Sequence, residues 1–166
     1  MTSRPTDKAV TDKNRKVKIT MKIQITKLRD NAKIPTRGSA MAAGYDLYAC
    51  LECDSVEIKP HETAKIGTGL AIAVPEGYFG AVFARSGLAA KEGLRPANCV
   101  GVCDSDYRGE YIVALHNDSE KVRVVSNGDR IAQLVVMPFL SVEFEETESL
   151  DETARGAGGF GSTGKN

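Results

Sequence analysis

The feature that most constrains this chain is the period of its apolar residues. They return at every second position in short runs: Ile23 and Ile25; Val56 and Ile58; Leu70, Ile72 and Val74; Val122 and Val124; Val142 and Phe144. A period of two puts alternate side chains on opposite faces, so each run predicts a half-buried β-strand rather than a helix. Two runs, Ile112 to Leu115 and Leu134 to Met137, are apolar throughout and fit strands buried on both faces. Turn formers separate the runs at Lys59-Pro60, Pro75-Glu76-Gly77, Asn117-Asp118-Ser119 and Asn127-Gly128-Asp129. Many short strands between tight turns predict an all-β chain, a jelly-roll-like sandwich or barrel. One short helix is expected from about Ser86 to Lys91, because Leu88-Ala89-Ala90-Lys91 has high helix propensity and Gly93 stops it.

At 166 residues with 42% hydrophobic content, the chain suits one compact domain. Three parts are expected: a flexible tail over 1–20, a β domain over 21–150 and a glycine-rich, flexible C-terminal arm over 151–166. Lys plus Arg equals Asp plus Glu at 22 each, so the basic surface that duplex nucleic acid requires is absent, while a small anion held by a few placed Arg residues fits. There is no apolar run of membrane-spanning length and no signal-like N-terminus, so no membrane partner and a cytoplasmic location are expected. The basic cluster Arg15-Lys16-Val17-Lys18 reads as part of a solvated tail, with a nuclear address as the second reading. Cys50-x-x-Cys53 and Cys99-x-x-x-Cys103 raise a zinc site by spacing. Reduced thiols packed as small apolar residues fit better, because no His lies near either pair and positions three apart on a strand face opposite ways.

The arm runs Arg155-Gly156-Ala157-Gly158-Gly159-Phe160-Gly161-Ser162-Thr163-Gly164, five glycines in ten residues. Such a segment cannot fold alone, since glycine has the most backbone entropy to lose and almost nothing here is apolar. It spells Gly156-x-Gly158-x-x-Gly161, yet no strand-to-helix unit surrounds that dinucleotide fingerprint. Gly159 to Lys165 spells most of a Walker A loop, but Asn166 stands where Ser or Thr is required. What survives is a phosphate cradle: exposed N–H groups, the planar fork of Arg155 and the hydroxyls of Ser162 and Thr163. Phe160 has no core to join and suits stacking on a base.

Four further polar clusters interrupt the strand pattern: Ala43-Gly44-Tyr45-Asp46-Leu47-Tyr48, Ala84-Arg85-Ser86-Gly87-Leu88-Ala89, Asn98 to Tyr111, and Gly128-Asp129-Arg130-Ile131-Ala132-Gln133. In the second, Arg85 and Ser86 precede the helix, so guanidinium, hydroxyl and free N–H groups converge where a phosphate would sit; a Ser N-cap beside an exposed Arg is the plain alternative. In the third, Gly101-Val102-Cys103-Asp104-Ser105-Asp106-Tyr107-Arg108-Gly109-Glu110 reads as a hairpin carrying carboxylates. Arg108 and Leu115 occupy positions where an EF-hand needs oxygen ligands, which leaves a bare hairpin tip or a carboxylate that activates water.

These four clusters and the arm, in this order, resemble the five motifs of the trimeric dUTPase family and span about Gly44 to Gly164. The resemblance implies a β jelly roll assembled as a homotrimer, with active sites shared between subunits and closed by the arm. It implies Mg²⁺-dependent hydrolysis of dUTP to dUMP and pyrophosphate, which lowers dUTP and supplies dUMP for thymidylate synthesis. By that likeness Asp104 activates water for attack on the α-phosphorus, and Asp46 meets Mg²⁺ through its water shell. Arg85, Ser86, Gly87 and Gln133 hold the phosphate chain. Asn98 and the hairpin backbone around Gly101 read uracil, while Tyr107 packs beneath the deoxyribose and leaves no room for a 2′-hydroxyl. Arg155, Gly161, Ser162 and Thr163 grip the outer phosphates as Phe160 stacks on the base. Cys103 departs from the family, which carries an aliphatic residue there; it is expected to pack as a small apolar group, sensitive to oxidation beside Asp104.

Two competing readings are a dCTP deaminase of the same superfamily, which needs a deaminating carboxylate near the base, and a non-catalytic jelly-roll protein that binds nucleotide. Tyr107 and Phe160 favour dUTP over the first. The second leaves Asp104, Gln133 and the ordered clusters without a reason.

Overall fold

A computed structural model describes residues 21–159. The tail over 1–20 and the arm residues Phe160, Gly161, Ser162 and Thr163 lie outside the described residues. Eleven strands and one helical turn make up the described chain: β1 Gln24–Lys27, β2 Tyr45–Tyr48, β3 Ser55–Ile58, β4 Thr63–Gly67, β5 Leu70–Ala73, β6 Tyr78–Phe83, β7 Leu94–Pro96, β8 Val100–Cys103, β9 Ile112–Asn117, β10 Arg123–Ser126 and β11 Arg130–Pro138. Every pairing is antiparallel. The strands form four small sheets, ordered β1-β5, β10-β3, β2-β11-β6-β8 and β4-β9-β7. Most neighbours are distant in sequence, so this is a jelly-roll sandwich rather than a meander.

The alternating runs supply Ile58, Leu70, Ile72 and Val74 to a single buried cluster that also takes Ile66, Leu115, Ile131 and Leu134. The fully apolar runs are not buried on both faces: Ile112 and Met137 at their ends are exposed, because β9 and β11 alternate between core and surface. β10 differs in phase. Val122 and Val124 are about half exposed, and Val125 alone is buried, because β10 pairs only with β3 and sets Val125 opposite Val56. The run at Val142 and Phe144 forms no strand. Both side chains stand in solvent, 64% and 94% exposed, and no described strand pairs with that segment. The helix forms where expected, as one wide turn at Leu88–Glu92 with Ser86 and Gly87 already helical, and Gly93 ends it at φ 70° in the left-handed region.

The long central strand β11 does most to position the site. Gln133 lies opposite Asp46 of β2 on one side and Phe83 of β6 on the other, which brings the first, second and fourth clusters to one end of the sheet. A register shift between Arg130 and Ala132 re-aims Arg130 toward Asp46. The β4–β5 corner, Gly67-Thr68-Gly69, grips the end of the third cluster: buried Thr68 donates through Oγ1 to the Tyr111 carbonyl at 2.7 Å, and the Tyr111 N–H donates to the Leu70 carbonyl at 2.8 Å.

Gly69 sits at φ +67°, and a Cβ there would lie 2.7 Å from Cys50 Sγ and 2.8 Å from Ala32 Cβ. Both the backbone conformation and the close packing demand glycine. Gly69→Ala is expected to destabilise the fold by about 3 kcal/mol, from left-handed strain plus overpacking. Denaturant titration checks this; a loss below about 1 kcal/mol would mean the corner relaxes freely.

Candidate active site

The first constellation is ionic. Asp46 accepts from Arg85 Nε on Oδ1 at 2.8 Å and from Arg130 Nη1 on Oδ2 at 3.2 Å, while Arg85 Nη1 reaches the Arg130 carbonyl at 3.4 Å. Arg85 is therefore not the exposed residue of the plain alternative, and no side chain caps the helical turn that follows it. One carboxylate between two guanidiniums holds them in fixed directions and leaves each with N–H donors not spent on it, suited to a phosphate oxygen. Both Arg residues line a cavity of about 230 Å³ with Leu88, Glu92 and Asp129. Gln133 belongs to the same end of the sheet. Its Nε2 donates to the Ala84 carbonyl at 2.9 Å, and a Cβ on Gly44 would come within 2.4 Å of its Oε1, so the first cluster needs its glycine to admit this side chain. Ser86 is exposed at the head of the turn, and its hydroxyl has no partner among the described residues.

The second constellation is the turn between β8 and β9. Asn98, Gly101, Asp104 and Tyr107 line a cavity of about 250 Å³ with Val82, Pro96, Cys103, Glu110 and Tyr111. Gly101 is small because Val82 Cβ and Asn98 Nδ2 stand 3.2 and 3.5 Å from where its Cβ would be. The Tyr107 ring lies so close over Gly109 that a Cβ there would fall 2.4 Å from the hydroxyl and 2.6 Å from the ring. Tyr107 Oη donates to the Glu110 carbonyl at 3.0 Å, and Arg108 staples the turn by donating to the Ser105 and Tyr107 carbonyls at 2.7 and 2.9 Å. Asp104 is exposed at the mouth, and its carboxylate has neither an ion pair nor a hydrogen-bond donor among the described residues. A carboxylate left free beside a shaped cavity is equipped to take a proton.

Cys103 and Tyr111 form the cavity floor. Tyr111 is 2% exposed and its hydroxyl has no hydrogen-bond partner among the described residues, lying against Gly80, where a Cβ would be 2.9 Å away. Burial pushes both the Tyr111 phenol and the Cys103 thiol above their usual ranges. The thiol packs as expected, but staying protonated makes it a weaker target for oxidation than its place beside Asp104 implies.

Asp46, Arg85 and Gln133 are thus brought together, as are Asn98, Gly101, Asp104 and Tyr107, but the two cavities share no lining residue. Arg155 joins neither; its Nε donates to the Gly158 carbonyl at 2.8 Å within the arm. Sequence reasoning assigned no role to Arg130, although it lies in the fourth cluster, and none to Glu110 or Arg29, which only long-range contacts reveal. Among the described residues no three His, Cys, Asp or Glu side chains cluster as a metal cage. Asp46 uses two of its roughly four lone-pair directions on arginine, so it can meet a hydrated cation through water only where a bound triphosphate supplies the negative charge that the two guanidiniums offset.

Comparison with known proteins points one way. The dUTPase family model matches residues 30–164. The chain is 54% identical over 145 residues to the deoxyuridine 5′-triphosphate nucleotidohydrolase of Wolinella succinogenes, covering 87% of this chain and 95% of that protein. It is 45% identical over 156 residues to the protein of that name from Candida albicans, covering 93% and 95% respectively. Among solved structures, a mutant dUTPase of Staphylococcus bacteriophage 80alpha with dUpNHpp superposes at TM-score 0.75 and 29% identity, over 87% of this chain and 99% of that one. A mutant dUTPase of phage phi11 of S. aureus, described as coordinating a structural Mg(II) ion, superposes at TM-score 0.68 and 28% identity, over 78% and 98%.

Proposed function

The chain belongs to the dUTPase family, and on that footing we propose how its residues hydrolyse dUTP to dUMP and pyrophosphate. Uracil enters the cavity of the β8–β9 turn, where Asn98 and the backbone around Gly101 meet its polar edge. The Tyr107 ring packs under the deoxyribose and excludes a 2′-hydroxyl. Arg85, Ser86, Gly87 and Gln133 hold the phosphate chain. Asp104 takes a proton from water as the water oxygen bonds to the α-phosphorus; the bond from that phosphorus to the α,β-bridging oxygen breaks, and pyrophosphate leaves. Mg²⁺, when bound to the triphosphate, neutralises charge on the departing pyrophosphate, with Asp46 as the carboxylate that meets its water shell. The observation that carries this reading is the unpaired Asp104 carboxylate beside a cavity whose wall is the Tyr107 ring laid over Gly109.

The same reading makes the enzyme a homotrimer with shared sites. Two observations support it. The phosphate-side and base-side cavities have no residue in common, and the segment after β11 exposes Leu140, Val142 and Phe144 in alternation, a face that suits cover by another copy. Arg155, Phe160, Gly161, Ser162 and Thr163 of the arm then close over the bound triphosphate and base.

The test is pyrophosphate release with Mg²⁺ from dUTP, dCTP, dTTP and UTP, with the base followed by chromatography and the mass in solution by light scattering. Preference for dUTP over dCTP should reach roughly 10⁴ in kcat/KM, because a site built to hydrogen-bond one base leaves its own groups unpaired against another. Ammonia from dCTP would instead mark a deaminase.

A further inference from the structure

We propose that Glu110, anchored by Arg29, is a positioning residue that sets the sugar selectivity of the site by holding the Tyr107 ring in place. The inference rests on the role given to Tyr107 above. That ring rests on Gly109, lies 6.2 Å from the Tyr111 ring between centroids, and donates from its hydroxyl to the Glu110 carbonyl, so its height above the cavity follows the backbone over residues 109–111.

The backbone there is pinned by the Glu110 side chain. Its Oε1 accepts from the Gly69 N–H at 2.7 Å and from Arg29 Nη2 across 81 positions of sequence. The pocket for this pair is built for it: a Cβ on Gly67 would fall 2.5 Å from Glu110 Oε1 and 2.6 Å from Arg29 Nη2. Arg29 is itself fixed to the corner, since the Leu28 N–H donates to the Gly69 carbonyl at 2.7 Å. The pair is half-buried, with side chains 30% and 22% exposed, and the buried Arg29 Nε has no hydrogen-bond partner among the described residues.

Such a pair is a poor way to gain stability, because an apolar pair of equal volume often does as well. Nor is it needed to attach the strand, which Thr68 and Leu70 already hold through Tyr111. What the Glu110 side chain adds is a second anchor: the Tyr111 N–H on Leu70 sets the plane of the peptide that carries the Glu110 carbonyl, and Oε1 on Gly69 and Arg29 fixes the residue from its other side, where the turn from Tyr107 and Gly109 arrives. When that anchor is lost the ring can tilt, and the space denied to a 2′-hydroxyl opens; a misplacement of about 1 Å in a positioned group is large on the scale of such selection.

The experiment compares kcat/KM for dUTP and UTP in the full chain and in two variants. Glu110→Gln keeps an acceptor for Gly69 but loses the charge pair. The double variant R29M/E110Q removes both charges, so neither is left buried alone. The ratio of dUTP to UTP is expected to fall roughly threefold in the first and about tenfold in the second, at temperatures well below each midpoint of unfolding. A lower melting temperature with an unchanged ratio in the double variant would reduce the pair to a structural role and overturn the proposal, and so would an unchanged ratio in Glu110→Gln should the double variant fail to fold. If the unaltered chain prefers no deoxynucleotide at all, the reading of Tyr107 fails instead, a result distinct from loss of selectivity in the variants alone.

Discussion

Asp104→Asn is expected to lower kcat on dUTP by at least about 10², the bottom of the range that a positioned general base contributes. The substitution is close to isosteric and replaces a charged proton acceptor with a neutral amide that cannot act as a base. Asp104 is exposed and unpaired, so no ion pair or hydrogen bond of the fold is lost with its charge. The melting temperature and the affinity for a non-hydrolysable dUTP analogue should therefore stay close to those of the unaltered chain. That separation matters, because a variant that lost binding as well would point to a role in holding the substrate. Near-normal turnover would sink the assignment of the base.

Deleting residues 154–166 is expected to cost a comparable factor, roughly 10² or more in kcat, because on the proposed reading it removes a guanidinium, two hydroxyls and a run of N–H groups that stabilise transition-state charge. The fold should survive. The described part of the arm buries no core residue, β11 ends at Pro138, and among the described residues the side chain of Arg155 bonds only within the arm. Unimpaired hydrolysis by the truncated protein would rule out the arm as a lid. Mixing truncated and Asp104→Asn subunits adds a control on the assembly: if arm and base come from different copies, mixed oligomers regain activity that neither parent has. Activity no greater than the sum of the parents would confine each site to one chain.

The arm stands out in the sequence because glycine density and a stray aromatic make a segment that cannot fold alone, but its residues from Phe160 onward lie outside the described residues. The ionic centre was legible only in part. Asp46, Arg85 and Gln133 each stood out as polar residues within strand-like stretches, but their meeting on one end of a sheet depends on β11 lying between β2 and β6. Arg130 was missed for the same reason: its approach to Asp46 follows from a one-residue shift in the β11–β2 register, which local sequence does not signal.

What this sequence determined by itself is local. The period of two set most of the strands, Gly93 ended the helix, and the order of five polar clusters marked the family, because steric preferences and side-chain spacing act over a few residues. The tertiary structure decided which face of β10 turned inward, left Val142 and Phe144 without a strand partner, and paired Glu110 with Arg29 and Gly69. Those outcomes depend on which edges are free and which corners meet, and antiparallel pairing between distant strands is chosen by the packing of the whole core rather than by any single segment.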